Sequence, residues 1–122
     1  MRTLFFVGAF ALFGVGVQGQ EASTWWQGRY VPDDGNAACD SSDALVVYEA
    51  EAVVPWETYC EIAQQVELRD MQGVLLDVEC SYPDAPDEGY NDRLALFELS
   101  DGNVLEYSRL GKTATVLKRC PD

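Results

Sequence analysis

The sequence contains no histidine, and that absence removes several kinds of chemistry at once. Without an imidazole there is no Ser–His or Cys–His nucleophile, and zinc loses one of its most common ligands. Carboxylate pairs for glycosidic cleavage are numerically available among 21 acidic residues, but no two of them stand out. We therefore expect a protein that is not an enzyme, with an unrecognised hydrolase as the alternative.

Basic residues are also scarce. The chain has 8 Lys and Arg residues against 21 Asp and Glu, for a formal net charge of −13. Such a surface repels nucleic acid, whose phosphates must be neutralised by basic side chains, and it repels anionic membrane surfaces. It suits a basic protein or a cation as a partner. The simpler alternative is that the charge only keeps the protein dispersed in solution.

Long apolar runs are missing after the first residues. Arg2 is followed by an uncharged run from Leu4 to Val17 and then by small residues up to Gly19. This is the pattern of a secretory signal peptide over residues 1–19, and the run is shorter than the roughly 20 residues that a membrane span needs. We expect a periplasmic or secreted protein without stable membrane insertion. Its single β-domain is expected over residues 20–122.

Closely spaced cysteine pairs are absent as well. The four cysteines, Cys39, Cys60, Cys80 and Cys120, are far apart in the chain, whereas zinc sites usually contain C-x-x-C pairs. An even number of cysteines in an oxidising compartment predicts two disulfides instead. We expect no metal and no cofactor.

Alternation of apolar and polar residues is the dominant pattern in the rest of the chain. It runs through the stretches "ALVVYEAEAVV", "GVLLDVECSY", "NVLEYSRL" and "TATVLKRC". The Asp101-Gly102 pair predicts a tight hairpin turn before the third of these. The fold class is therefore all-β, a small antiparallel meander of about seven strands that closes into a barrel or half-barrel to remove its edges. Residues 55–60 are compatible with a short helical turn that leads into a strand.

The register of one hairpin predicts a disulfide. If a turn is centred near Asp70, residues whose numbers add to about 140 face each other, and Cys60 lies opposite Cys80. Directly opposed residues are within disulfide reach, so we predict Cys60–Cys80 and, for the remaining pair, Cys39–Cys120. The pairing of Cys39 with Cys60 and of Cys80 with Cys120 stays open.

Aromatic and acidic residues supply the candidate sites. The largest aromatic side chains either fill the core or form an exposed binding patch, and Trp25 is the one most expected outside the core: Trp25, Trp26, Tyr30 and Trp56. An acidic segment over residues 83–92 contains weak calcium candidates at Asp84, Asp87, Glu88 and Asp92. Pro86 occupies a ligand position of the usual calcium loop, so we expect a solvated loop.

A weak family resemblance agrees with this picture. The stretches "WQGRY", "ETYCEI", "DGNVLEYS" and "LKRC", together with Cys80, resemble small four-cysteine exported proteins of proteobacteria. That group is largely uncharacterised, so the resemblance implies a location and a fold type. The start is also similar to that of calycin-like barrels, including inhibitors. In such a barrel Trp26 would plug the base near Arg119 on the last strand.

These observations favour a binding or inhibitory module, with a basic protein as a candidate target. One alternative is an envelope structural or stress protein that has no discrete site. Another is a carrier that holds a small apolar ligand in a barrel mouth lined by aromatic residues. The charge motivates the first, and the cross-linked β-domain is compatible with all three.

Overall fold

Alternating residues form eight strands that close on themselves. The computed structural model describes residues 22–34, 38–40 and 43–121, and its strands follow chain order around one closed antiparallel barrel. They are β1 (Gly28–Pro32), β2 (Val46–Tyr48), β3 (Ala52–Val54), β4 (Tyr59–Glu67), β5 (Gly73–Tyr82), β6 (Ala85–Glu98), β7 (Val104–Ser108) and β8 (Thr113–Arg119). The predicted all-β barrel is confirmed. The predicted signal peptide, residues 1–19, lies outside the described residues.

The segment over residues 44–58 differs in detail from the prediction. What reads as one strand is two, β2 and β3, joined by a tight turn in which the Glu49 amide donates to the Ala52 carbonyl at 2.8 Å. The helical turn predicted over residues 55–60 is wrong. Glu57 has φ of 55°, a left-handed value that cannot continue a right-handed helix, and β4 begins directly afterwards. No helix in the described part of the chain is long and apolar enough to cross a membrane.

The hairpin of β4 and β5 contains a bulge that the sequence pattern did not predict. Cys60 faces Cys80 and Ile62 faces Val78, as predicted, but Gln64 then faces Asp77. One extra residue in β4 therefore shifts the register. The predicted register, in which facing residue numbers add to about 140, would pair Val66 with Val74 and is wrong here, because Val66 faces Leu75. Beyond the bulge the odd-numbered residues point inward, and Val66 is 40 % exposed.

The acidic segment over residues 83–92 is more ordered than the loop that its composition predicts. The strand β6 already starts at Ala85, which faces Tyr82. Gly89 then faces Ser81, so residues 86–88 form an extra loop within the strand. A Cβ atom on Gly89 would clash with the Cys80 carbonyl oxygen, and the close approach of the two strands therefore requires glycine.

The predicted hairpin turn at Asp101-Gly102 is confirmed. Asp101 and Gly102 have φ values of 63° and 79°, as the turn that matches strand twist requires. The Asn103 amide donates to the Ser100 carbonyl at 3.2 Å. The turn therefore joins β6 directly to β7.

Both predicted disulfides are present. Cys60 and Cys80 face each other across β4 and β5 with Cα atoms 3.9 Å apart. Cys39 and Cys120 are joined with Cα atoms 5.7 Å apart, which fastens an early segment to the end of β8. None of the described cysteines is free. Two disulfides indicate an oxidising environment outside the cytoplasm.

Candidate functional site

The two ends of the barrel differ in how they are filled. One end, which we call the base, is covered by residues 23–27 and by the turns that follow β4 and β6. The other end, the mouth, is surrounded by the turns at residues 55–58, 83–84 and 109–112. The two ends of the barrel interior are therefore covered by different segments of the chain.

The base is packed with aromatic rings. Trp26 and Tyr30 have no exposed surface, and Tyr48 is 1 % exposed. The Tyr48 ring lies edge-on to both, with centroids 6.4 Å from Trp26 and 5.5 Å from Tyr30. The Trp26 indole donates to the Ser23 carbonyl and the Tyr30 hydroxyl to the Trp26 carbonyl, so both polar tips are satisfied. Aromatic side chains therefore fill this end of the barrel.

Arg119, the last residue of β8, closes the base. Its guanidinium donates to the carbonyls of Trp25 at 2.6 Å, Gln27 at 2.8 Å and Gly102 at 3.2 Å. It also donates to the Tyr30 hydroxyl at 2.6 Å. These bonds occupy the planar donor fork and tie the start of the barrel to its end. The role is structural.

The mouth opens into a cavity of about 220 Å³. Its apolar wall comes from the inward-facing residues of β2 to β6, with the Cys60–Cys80 disulfide among them. Polar groups are confined to β6 and β7. The lining residues are Val46, Val53, Pro55, Cys60, Val78, Cys80, Tyr90, Asp92, Leu94, Glu106 and Ser108.

Asp92 is a carboxylate whose oxygens are already bound. It is 8 % exposed and accepts bonds from the Ser108 hydroxyl at 2.6 Å, the Arg93 amide at 2.7 Å and the Leu110 amide at 2.8 Å. These bonds hold the turn between β7 and β8 against β6. Asp92 therefore shapes the mouth.

Glu106 is the second carboxylate of the cavity and has fewer partners. The Tyr48 hydroxyl donates to its Oε2 atom, and no other hydrogen bond to this carboxyl group is found within the described residues. Burial raises the pKa of Glu106, and the neighbouring Asp92 raises it further, while the bond from Tyr48 lowers it. Burial also raises the pKa of Tyr48 well above its ordinary value, as does the adjacent Glu106. The pair thus adds to the cavity a carboxyl group that has a single hydrogen-bond partner.

Aromatic residues surround the entrance. Tyr90 lines the cavity and packs against Tyr82 with ring centroids 6.0 Å apart. Burial raises the pKa of Tyr90, as does the negative charge of Asp92 and Glu106. Trp56 lies in the turn between β3 and β4 and is 54 % exposed. The entrance therefore offers apolar surface to an approaching molecule.

The structure does not bring the four predicted aromatic residues together. Trp26 and Tyr30 lie in the buried base, and Trp25 is partly buried and packs against the same core. Trp25 and Trp26 precede β1 in a turn and do not belong to the strand. Trp56 is at the mouth. Of the four, it alone is exposed at the cavity end.

The acidic segment does not assemble a calcium site in the described structure. Asp84, Asp87 and Glu88 are exposed around the tip of the β5–β6 hairpin, while Asp92 points into the barrel. Within residues 22–34, 38–40 and 43–121, no group of three or more potential ligands is positioned to hold a metal ion.

Sequence reasoning missed Glu106 and Tyr48. The signal was available in "NVLEYS", where Val104, Glu106 and Ser108 share one face of a strand. An acid at an inward position of a short strand is unusual because a buried charge is costly. What the sequence could not give was the closure that brings Tyr48 on β2 against Glu106 on β7.

Comparison with known proteins gives no relative. No protein-family model matches the chain, and searches of curated proteins and of solved structures find no match.

Proposed function

We propose that this protein is a binding module, periplasmic or secreted, that holds a small and largely apolar ligand in the mouth of its barrel. The observation that carries the proposal is the contrast between the two ends of one interior. The base is packed with Trp26, Tyr30 and Tyr48, whereas the mouth keeps a cavity of about 220 Å³. A barrel with a purely structural role has no need of such a cavity, since interiors normally pack closely.

The composition of the cavity supports the same function. Ligand sites are typically apolar pockets with a few polar groups that fix orientation. Here Val46, Val53 and Leu94 supply apolar wall, and the polar groups come from two neighbouring strands. An engineered apolar cavity of about 150 Å³ holds benzene, so this one suits a molecule with a single ring and a short arm.

Calorimetry with a neutral single-ring compound, such as 2-phenylethanol, tests the proposal on the oxidised protein. Val46→Phe places a larger side chain in the cavity and is expected to weaken binding at least about tenfold, or 1.4 kcal/mol. Val47→Phe is the matched control, because Val47 is the next residue of β2 and does not line the cavity. Absence of binding, or equal binding by both variants, would contradict the function.

Binding of a basic protein is a second candidate, favoured by the outer face of β4 and β5. The exposed residues Glu61 and Glu79 lie directly opposite each other, and neither forms an ion pair with any residue in the described ranges. Like charges in this position destabilise a sheet by up to about 1 kcal/mol. A basic partner would relieve that repulsion.

Titration against a cationic lysozyme at low and high salt tests the second candidate. The Glu61→Gln/Glu79→Gln variant is expected to weaken a salt-sensitive interaction. Glu98→Gln/Asp101→Asn removes the same charge at the base end and should have little effect. If the native protein shows no salt-sensitive binding, this candidate loses its motive. If both candidates fail, a structural or stress role becomes the better explanation.

A further inference from the structure

The charge of the mouth cavity has one sign. Two carboxylates, Asp92 and Glu106, line it, and none of the lining residues is Lys or Arg. The guanidinium of Arg119 is committed to backbone carbonyls and to Tyr30 at the base. Any charged group that enters the cavity therefore meets negative charge alone among the described side chains.

Only one of the two carboxylates is available to a ligand. Asp92 accepts three hydrogen bonds from groups of the barrel itself. Glu106 accepts one, from the Tyr48 hydroxyl to Oε2. A carboxylate offers about four acceptor positions over its two oxygens, so Glu106 keeps most of its capacity. Glu106 lines the cavity, where a partly buried charge costs free energy unless it is paired.

We propose that the ligand is a small primary amine. Its ammonium group would donate to Glu106, and its apolar body would pack against Val46, Val53, Leu94 and the Cys60–Cys80 disulfide. This inference rests on the proposed binding function and adds the chemical class of the ligand. The cavity volume limits the body to about one ring, by comparison with the cavity of about 150 Å³ that holds benzene.

Geometry also argues against the other ligand charges. An anionic ligand of the same size would bring a third negative group beside Asp92 and Glu106, at low local dielectric, where repulsion is strong. A neutral ligand could donate at most a hydrogen bond and would leave the charge of Glu106 without a counter-charge. An ammonium group has three donors and no acceptor, and it matches an under-occupied carboxylate.

The proposed contact is sensitive to pH. The titratable groups that face Glu106 are Tyr48 on β2 and both Asp92 and Tyr90 on β6. The hydroxyl of Ser108 on β7 is bound to Asp92. The ammonium contact needs an ionised Glu106, whereas an alkylammonium group stays charged through neutral and acidic pH. Amine affinity should therefore fall as the pH drops through the pKa of Glu106, and the affinity for a neutral ligand should not.

Calorimetry with three probes of one shape tests the proposal: 2-phenylethylamine, 2-phenylethanol and phenylacetate. We expect the amine to bind native oxidised protein at least about tenfold more tightly than the alcohol at neutral pH, and phenylacetate to bind least. Glu106→Gln should reduce amine affinity to about that of the alcohol and should change alcohol affinity much less than amine affinity. Glu88→Gln, an exposed change of the same charge, controls for the general attraction of an acidic protein for cations.

The outcomes separate this inference from the function beneath it. If the amine and the alcohol bind equally, the amine class is wrong and the binding function stands. If none of the three binds, the binding function itself is contradicted. Amine binding that Glu88→Gln or high salt reduces as much as Glu106→Gln does would show surface attraction and overturn the site. The pH profile of the native protein tests the same contact without a variant, since an amine affinity that does not change with pH contradicts a contact with Glu106.

Discussion

At the scale of single residues, Glu106 is the position where stability and binding are opposed. Burial raises its pKa in the folded state above the ordinary value of 4.5. The folded protein therefore holds the proton more tightly than the unfolded chain does, and ionisation of Glu106 costs stability once the pH exceeds the unfolded pKa. A carboxyl group that lines a cavity and whose pKa is raised by burial is typical of functional sites.

We predict that Glu106→Gln stabilises the protein at neutral pH by on the order of 1 kcal/mol, because an amide is less costly to bury than a carboxylate. The advantage should shrink as the pH falls through the raised pKa of Glu106 and should be lost below about 4.5, where Glu106 is protonated in both states. Urea unfolding at neutral and acidic pH measures this, with Glu88→Gln as the exposed control. A gain that is equal at both pH values would contradict the raised pKa of Glu106.

A second residue-scale prediction concerns Gly28, the first residue of β1. Its φ of 151° is outside the range that side-chain-bearing residues favour, and a Cβ atom there would clash with Arg119 Nη1. Gly28→Ala should cost about 1–3 kcal/mol, as overpacking usually does, because it displaces the guanidinium that seals the base. Gly111→Ala is the control, since its Cβ would make ordinary contacts at 3.5 Å. Equal unfolding free energies for the two variants would refute this role of Gly28.

At the scale of elements, the bulge in β4 decides which side chains enter the barrel. It turns Gln65 and Glu67 inward, where Glu67 accepts a bond from the Ser23 hydroxyl at 2.6 Å and Gln65 donates to the Ser23 carbonyl at 3.2 Å. These bonds hold the segment that carries Trp26 over the base. The register shift is therefore part of how the base is closed.

The bulge predicts an asymmetry between two valines that a regular hairpin would pair. Val66→Lys should change the unfolding free energy by less than about 0.5 kcal/mol, because Val66 is 40 % exposed. Val74→Lys should prevent stable folding, since Val74 has no exposed surface and a buried unpaired charge is costly. Thermal unfolding of both variants measures the contrast. Comparable losses of stability in the two variants would contradict the bulge and favour a regular hairpin in which Val66 faces Val74.

The same hairpin shows how far the sequence could predict the structure. Strands and the turn at Asp101-Gly102 were predictable because each depends on local alternation or on turn residues. The Cys60–Cys80 pair was predictable because the predicted register holds on the side of the bulge away from the turn. The bulge was not, since Val66 and Leu68 continue the apolar pattern of Ile62 whether or not a residue is inserted. The site was not predicted because Tyr48 and Glu106 meet only when the whole barrel closes.

At the scale of the whole molecule, the two disulfides constrain different lengths of chain. Cys39–Cys120 spans 81 residues and Cys60–Cys80 spans 20. In the chain-entropy model, their removal costs about 4.5 and about 3.3 kcal/mol respectively. We predict that Cys39→Ala/Cys120→Ala is the less stable double variant, as measured by urea unfolding of the oxidised proteins.

The same two double variants should rank in the opposite order for ligand affinity. Cys60 and Cys80 line the mouth cavity, whereas Cys39 and Cys120 do not. Replacing the first pair by alanine removes the two sulfur atoms from the apolar wall, so it should weaken the binding of 2-phenylethanol through the loss of their dispersion attraction. Replacing the second pair should leave the affinity of the folded protein unchanged. If affinity instead followed stability across the two variants, the mouth would be shaped by the overall constraint on the chain rather than by its own lining.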